Sequence, residues 1–260
     1  MNPTPLDLPA RSGKPRRSGI TMVIDNGLPR AYFADAIASN AAHIDAVKFG
    51  WGTCLVTEAL EAKIDCLRDH GVRFWFGGTL FEKFVVQRRF DGFVDYCRRW
   101  GCTTVEISNG TIPLPNAAKA DYIRRCAEEF DVVSEVGFKD ARRSEDLSSA
   151  EWVDAIGEDL EAGASLVIAE ARESGRSGIC RADGSLRDGI VDDILASGVD
   201  PDHLLFEAPT KELQVHFVTR LGANVNLGNI AAGDVIGLET LRLGLRADTL
   251  LHFETVAAYA

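Results

Sequence analysis

The chain has 260 residues, 46% of them hydrophobic and 26% charged, and 39 acidic side chains outnumber 28 basic ones for a formal charge of −11. That balance supports a sizeable buried core and excludes disordered and fibrous classes. A field of this sign repels phosphate backbones and anionic lipid heads, so neither nucleic acid nor a membrane surface is an expected partner, and an anionic substrate needs a local island of cations.

Six cysteines (Cys54, Cys66, Cys97, Cys102, Cys126, Cys180) contain no C-x-x-C pair and the five histidines no H-E-x-x-H, so zinc is not expected. A chain this long needs no disulfide staples and shows no secretory apolar segment, which predicts reduced thiols and a cytoplasmic location. No apolar run approaches the ~20 residues of a membrane span. Residues 1–18 hold Pro3, Pro5, Pro9 and Pro15 among Arg11, Lys14, Arg16 and Arg17. They read as a flexible, loosely attached arm, and residues 19–260 as a single domain.

From Gly19 the chain alternates short β-branched runs with amphipathic stretches. In order, the pattern predicts a strand over Ile20–Asp25 and a helix over Ala31–Asn40, then Ile44–Phe49 with Val56–His70, Val72–Phe76 with Phe84–Trp100, and Thr103–Ile107 with Lys119–Phe130. Val132–Val136 with Ser149–Ala162, Leu166–Glu170 with Leu186–Ala196, Leu204–Glu207 with Lys211–Leu221, and Ala223–Leu227 with Ala232–Leu245 complete the series. Several helices stop at a glycine, as in His70-Gly71 and Leu221-Gly222. Eight uninterrupted βα units are the α/β class in its (β/α)8 TIM-barrel form; a doubly wound open sheet is the alternative, because periodicity does not report closure.

A polar residue recurs near the C-terminal end of almost every predicted strand: Asp25, Lys48, Glu106, Glu135, Glu170, Glu207 and Asn226. A charge in a strand built for burial is costly unless it is paired or meets a ligand, and the C-terminal mouth of such a barrel is where ligands bind. Each acid taken singly could equally belong to a buried support network. Glycine-bearing loops follow at once: Gly50 to Thr53, Gly77 to Thr79, Ser108 to Gly110, Gly175 to Gly178, and Leu227 to Asn229. Such loops let backbone N–H groups approach an anion. Lys48, Lys139, Arg172, Arg176 and Lys211 are the cations expected at this rim, with Arg142, Arg143, Arg242 and Arg246 as further candidates. The residues alone thus point to an enzyme for a small phosphorylated, carboxylated substrate.

Seven segments carry a closer likeness: V-K-F-G-W-G-T (Val47–Thr53), G-G-T-L-F-E (Gly77–Glu82), E-I-S-N-G (Glu106–Gly110), S-E-V-G-F-K-D (Ser134–Asp140), E-A-R-E-S-G (Glu170–Gly175), F-E-A-P-T-K (Phe206–Lys211), and V-N-L-G-N-I with L-E-T-L-R-L-G-L-R-A-D-T (Val225–Ile230, Leu238–Thr249). In these segments the chain resembles the phosphosulfolactate synthase family. The resemblance implies a (β/α)8 barrel that adds sulfite to C3 of phosphoenolpyruvate with Mg2+, giving (2R)-2-phospho-3-sulfolactate, the entry step of one coenzyme M route. It also implies a homo-oligomer.

On that resemblance, Glu106, Glu135 and Glu170 are candidate Mg2+ ligands, unranked, and Lys139 is the general acid that protonates C2, a role suited to a lysine whose pKa is lowered towards neutrality. Lys48 and Arg172 are expected on sulfite or carboxylate oxygens. Asp25, Glu207, Lys211, Arg176 and Asn226 join the substrate-binding set, with the phosphate near Gly228 and Asn229. Three positions depart from the family's pattern: Phe138 replaces one of two adjacent lysines, Asn109 replaces an aspartate, and Gly228 replaces an alanine. The first two leave open a diverged member that adds another nucleophile to an enol phosphate. A non-catalytic, stress-associated barrel is the third reading.

Overall fold

In a strand, alternate side chains face opposite sides, so a barrel strand shows its even positions to one compartment and its odd positions to the other. The computed structural model describes residues 4–172 and 174–254, the side chains of residues 141 and 142 excepted. In chain order its elements are β1 (Thr21–Asp25), α1 (Arg30–Asn40), β2 (Ala46–Phe49), α2 (Leu60–Asp69), β3 (Arg73–Phe76), α3 (Gly78–Val86), α4 (Phe90–Arg99), β4 (Thr104–Ile107) and α5 (Asn116–Ala127). Then follow β5 (Asp131–Val136), α6 (Ala141–Asp146), α7 (Ser149–Glu161), β6 (Leu166–Ala169), α8 (Asp188–Ala196), β7 (Leu204–Glu207), α9 (Lys211–Leu221), β8 (Leu227–Ile230) and α10 (Val235–Arg242).

The eight strands form one sheet in the order β3-β2-β1-β8-β7-β6-β5-β4, and every adjacent pair is parallel. The sheet wraps into a nearly closed barrel with the helices outside, as the βα count predicts. Among the described residues no backbone ladder joins β3 to β4, although the two strands lie side by side. Side chains bridge that seam: Trp75 Nε1 on β3 donates to Glu106 Oε2 on β4 at 2.7 Å.

Two apolar compartments result. The larger lies between sheet and helices and includes Val47, Phe49, Val105 and Ile107. The smaller fills the barrel itself with Ile20, Met22, Ala46, Trp75, Val133, Leu166, Ile168 and Leu205. Two residues beyond four of these inward positions stand Lys48, Glu135, Glu170 and Glu207, all buried. Period-two alternation therefore stacks a ring of charges directly on an apolar floor, at the C-terminal mouth.

The helices depart from expectation in one region. The stretch predicted as a single helix over Phe84–Trp100 is broken, because Arg88 adopts a left-handed φ of 56° and ends α3 before α4 begins. The break lets Phe81 on α3 meet Phe90 and Phe93 on α4 at ring separations of 6.3 and 5.5 Å. Elsewhere local signals are orthodox: Ser148 and Glu151 form a reciprocal capping box on α7, and Thr210 caps α9.

The proline-rich arm is anchored rather than loose over the part described. Arg11 pairs with Glu239 on α10 at 3.0 Å and also reaches the carbonyls of Ala223 and Gly19. Arg16 pairs with Asp45 at 3.1 Å, and Lys14 donates to the carbonyls of Ala41 and Ile44. The arm's cations thus satisfy acceptors at the N-terminal end of the barrel, a use that local composition does not reveal. No helix among the described residues is long and apolar enough to cross a membrane.

Candidate active site

Lys48, near the end of β2, is the hub of the mouth. Its Nζ lies 2.9 Å from Glu207 Oε1 and 3.8 Å from both Glu106 and Glu135, with 4% of the residue exposed. Burial opposes the ammonium, but the four surrounding glutamates outweigh it and hold its pKa far above the ordinary lysine value. Lys139, just past β5, sits 2.8 Å from Glu135 and 3.5 Å from Glu170. Its Cα follows the left-handed Gly137 and its N–H donates to the Gly110 carbonyl at 3.0 Å. The lowered pKa expected for it is not found: burial works in that direction, but Glu135 and Glu170 overcome it and keep Lys139 protonated well above the usual range.

The glutamates divide into two kinds. Glu106 spends one oxygen on Trp75 Nε1 and the other on the Gly78 N–H at 2.6 Å, so it closes the β3–β4 seam. Glu135, Glu170 and Glu207 each bring one oxygen to within 4.8 Å of the others. Glu135 is pulled down to about 2, because Lys139 and Lys48 overcome the cost of its burial. Glu170 moves the opposite way: burial, with Glu135 and Glu207 beside it, raises its carboxyl well above the ordinary range. Its Oε1 accepts from the Arg172 N–H, while Oε2 is buried without a hydrogen-bond donor.

Three buried hard oxygens facing one another, one of them unsatisfied and held at a raised pKa by its neighbours, form a donor set that fits a small divalent cation such as Mg2+. The fitting set is Glu135, Glu170 and Glu207. Glu106, expected as a ligand, lies outside this cluster with its oxygens on Trp75 Nε1 and the Gly78 N–H, and Glu207, expected only to bind substrate, lies within it while accepting from Lys48 Nζ at 2.9 Å and the Ala171 N–H at 3.0 Å.

Around this centre a small cleft of ≈ 30 Å³ is lined by Lys48, Trp51, Gly78, Lys139, Arg172 and Asn229 along with the glutamates. Arg172 reaches the Lys139 carbonyl through Nη1 at 3.2 Å. Asn229 arrives through an irregularity: β8 advances three positions, from Leu227 to Ile230, where β1 advances two, from Thr21 to Val23, and Asn229 takes a φ of 54° at that bulge. Its Oδ1 is buried without a partner.

The remaining expected site residues lie elsewhere. Asp25 has the wrong parity: Met22 points into the barrel, so Asp25 points out, where it meets Lys63 of α2 at 2.6 Å and caps the turn at Gly27 and Leu28. Asn226 precedes β8, which begins four residues later than expected, and bridges the Ile20 N–H and the Leu204 carbonyl at the barrel's base. Gly228 is interior packing rather than a phosphate cradle, since a Cβ there would strike Met22 Cε at 2.6 Å. Lys211 pairs with Asp248 on the surface at 2.9 Å, and Arg176 is exposed outside the cleft.

Among the further cations, Arg242 is at the base, Arg143 stacks on Phe138 at 4.0 Å, Arg246 lies 3.9 Å from Asp248, and the side chain of Arg142 is outside the described residues. The two departures from the family's pattern that bear on chemistry also face away from the centre. Asn109 Nδ2 donates to the Leu114 carbonyl at 2.8 Å, and Phe138 lines an outer groove with Leu114 and Leu147.

Comparison with known proteins agrees with this architecture. Residues 9–248 match the family described as (2R)-phospho-3-sulfolactate synthase (ComA). The chain is similar to the phosphosulfolactate synthase of Bacillus subtilis (strain 168), 54% identical over 96% of this chain and 99% of that one. It is also similar to the phosphosulfolactate synthase of Methanothermobacter thermautotrophicus, 40% identical over 96% and 98% of the two chains. Among solved structures, a 3-hexulose-6-phosphate synthase aligns with a TM-score of 0.54 at 13% identity, covering 86% of this chain and 99% of that one, which speaks to the fold alone.

Proposed function

The chain belongs to the (2R)-phospho-3-sulfolactate synthase family, and from that premise we propose that it is the enzyme adding sulfite to C3 of phosphoenolpyruvate in the presence of Mg2+. The sulfur lone pair forms the C3–S bond, the C2–C3 π pair moves towards C2 and the substrate carboxylate, and a proton then reaches C2. The C2–O–P linkage stays intact, which gives (2R)-2-phospho-3-sulfolactate.

The observation that carries this reading is Lys139, held as an ammonium 2.8 Å from Glu135 at the lip of a carboxylate-lined cleft. As an ammonium, Lys139 carries the proton that C2 requires, although its pKa lies above the near-neutral range that favours a general acid. Glu135, Glu170 and Glu207 would hold the divalent cation, which when bound supplies Lewis-acid stabilisation of the substrate carboxylate. Lys48 screens these glutamates from one another beneath the substrate. Arg172 lines the cleft as the partner for anionic oxygens, and Asn229 lines the same cleft. Because Asn109 and Phe138 are directed away from the reacting centre, neither supplies a reason for a different nucleophile. The reaction is one for the cytoplasm, where free sulfite and phosphoenolpyruvate would meet.

Phosphorus NMR of the purified protein with phosphoenolpyruvate, Mg2+ and sulfite tests the proposal. A new phosphate ester should grow only when sulfite is present, and Lys139→Ala should slow it by about 10²- to 10⁴-fold, the span typical of a lost general acid. Phosphoenolpyruvate left unchanged by the wild-type protein, or a variant as fast as wild type, contradicts it.

A further inference from the structure

We propose that Glu82, on α3 and outside the ring of strand-end charges, is a positioning residue that fixes the loop after β4 and, through it, the placement of Lys139. The inference rests on the role given to Lys139 above. Glu82 is 2% exposed, and its carboxylate brackets the loop with both oxygens. Oε1 accepts from Ser108 Oγ at 2.6 Å and Oε2 from the Thr111 N–H at 3.1 Å. A buried helical carboxylate is costly, and here its cost is offset by two donors from one short segment.

The segment it grips is in direct contact with the catalytic lysine. The Gly110 carbonyl accepts from the Lys139 N–H at 3.0 Å. A Cβ at Gly110 would stand 3.0 Å from the Gly137 carbonyl oxygen and 3.6 Å from Lys139 Cγ and Glu135 Oε1. There is no slack, so a shift of the loop is passed on to Lys139 and Glu135. The location also explains the need. Among the described residues, β4 and β3 border the seam without a backbone ladder, so the end of β4 lacks on one side the support that the six inner strands receive on both. Glu106 bridges that seam from within the barrel and Glu82 from α3. Glu82 touches no reacting atom; it acts through what it holds, and its charge adds the smallest part of the field that keeps Lys139 protonated.

Glu82→Ala removes the bracket, whereas Glu82→Gln keeps it without the charge, Oε1 accepting from Thr111 and Nε2 donating to the Ser108 hydroxyl. Glu82→Ala is expected to lose about 10- to 100-fold in kcat with the KM for phosphoenolpyruvate within about threefold. Its solvent deuterium isotope effect on kcat should be larger, because proton delivery from Lys139 becomes slower. Glu82→Gln should return kcat to within about threefold of wild type. In ligand-free protein, hydrogen exchange at the amides of Thr111 and Lys139 should quicken in Glu82→Ala and not in Glu82→Gln.

Ser108→Ala removes one of the two bonds and should fall between these variants, which covers the case in which Glu82→Ala does not fold. Wild-type kcat and exchange in Glu82→Ala and Ser108→Ala would overturn the proposal, as would a Glu82→Gln variant as impaired as Glu82→Ala. If the wild-type protein turns over nothing, the proposed reaction fails, while the exchange measurement still judges Glu82 on its own.

Discussion

Both ends of the barrel bury charges, and they bury them differently. At the base, Arg242 is fully buried and donates to the carbonyls of Ala223, Val225 and Ile20, while Arg11 holds Glu239 and Arg16 holds Asp45. Asp45 in turn accepts from the Thr21 N–H at 2.9 Å. At the mouth, four glutamates crowd Lys48 and Lys139, and Glu170 Oε2 and Asn229 Oδ1 are buried without hydrogen-bond donors. Burial of a charge is therefore not in itself the mark of a functional site. What sets the mouth apart is that three carboxylates face one another within 4.8 Å in a cleft, whereas at the base Arg242, though its Nε lacks a partner and Arg11 repels it, is held by three backbone carbonyls.

The largest effect separating the two ends is expected at the base. Arg242→Ala strips three carbonyls of their donor and leaves Glu239 with less positive charge nearby, so unfolding free energy from urea titration should fall by about 3–5 kcal/mol. Turnover per folded molecule should stay near wild type. At the mouth, Mg2+ at about one hundred times its Kd should raise the unfolding free energy by about 2.7 kcal/mol. Glu170→Gln should abolish most of that gain, and Arg242→Ala should leave it in place.

A smaller difference concerns pH. Burial raises the Glu239 carboxyl, but Arg11 outweighs it and brings its pKa below the ordinary 4.5. A depressed carboxyl stabilises the fold above its unfolded pKa and loses that contribution as pH falls through the folded one. The gap in stability between wild type and Glu239→Gln should therefore be complete at pH 6 and shrink below about pH 4.5. Denaturant midpoints at a series of pH values measure it. The smallest effect is predicted for Lys211→Ala, whose exposed pairing with Asp248 is worth about 0–1 kcal/mol and stands outside the cleft. Activity loss there would restore Lys211 to the substrate site.

Much of the mouth was legible in the sequence because it is built on period two. Lys48, Glu135, Glu170 and Glu207 each follow an inward apolar residue by two, and that phase can be read without a structure. The same rule, applied strictly, would have set Asp25 aside, since its parity is opposite to that of Met22. V-N-L-G-N-I offers two asparagines in an apolar run, Asn226 and Asn229, and the bulge that brings Asn229 to the cleft has no signature in alternation. The use of Glu106 to bridge the β3–β4 seam depends on an indole N–H from the neighbouring strand, and the anchoring of Arg11 depends on a partner 228 residues away. Glu82 closes the segment G-G-T-L-F-E, yet a glutamate on a helix ordinarily faces water. Its burial comes from how α3 leans on the loop after β4, a packing fact beyond local pattern.

The most direct measurement is a paired comparison of Glu170→Gln and Glu239→Gln by urea unfolding in metal-free buffer at neutral pH, with turnover assayed on the same samples. Neutralising Glu170 should relieve repulsion among the mouth carboxylates, so that variant should be about 1 kcal/mol more stable than wild type and lose its activity. Neutralising Glu239 should cost about 1–3 kcal/mol and preserve activity. If Glu170→Gln is destabilised as Glu239→Gln is, the mouth carboxylates are a satisfied support network like the base, and the division between the two ends of the barrel is wrong.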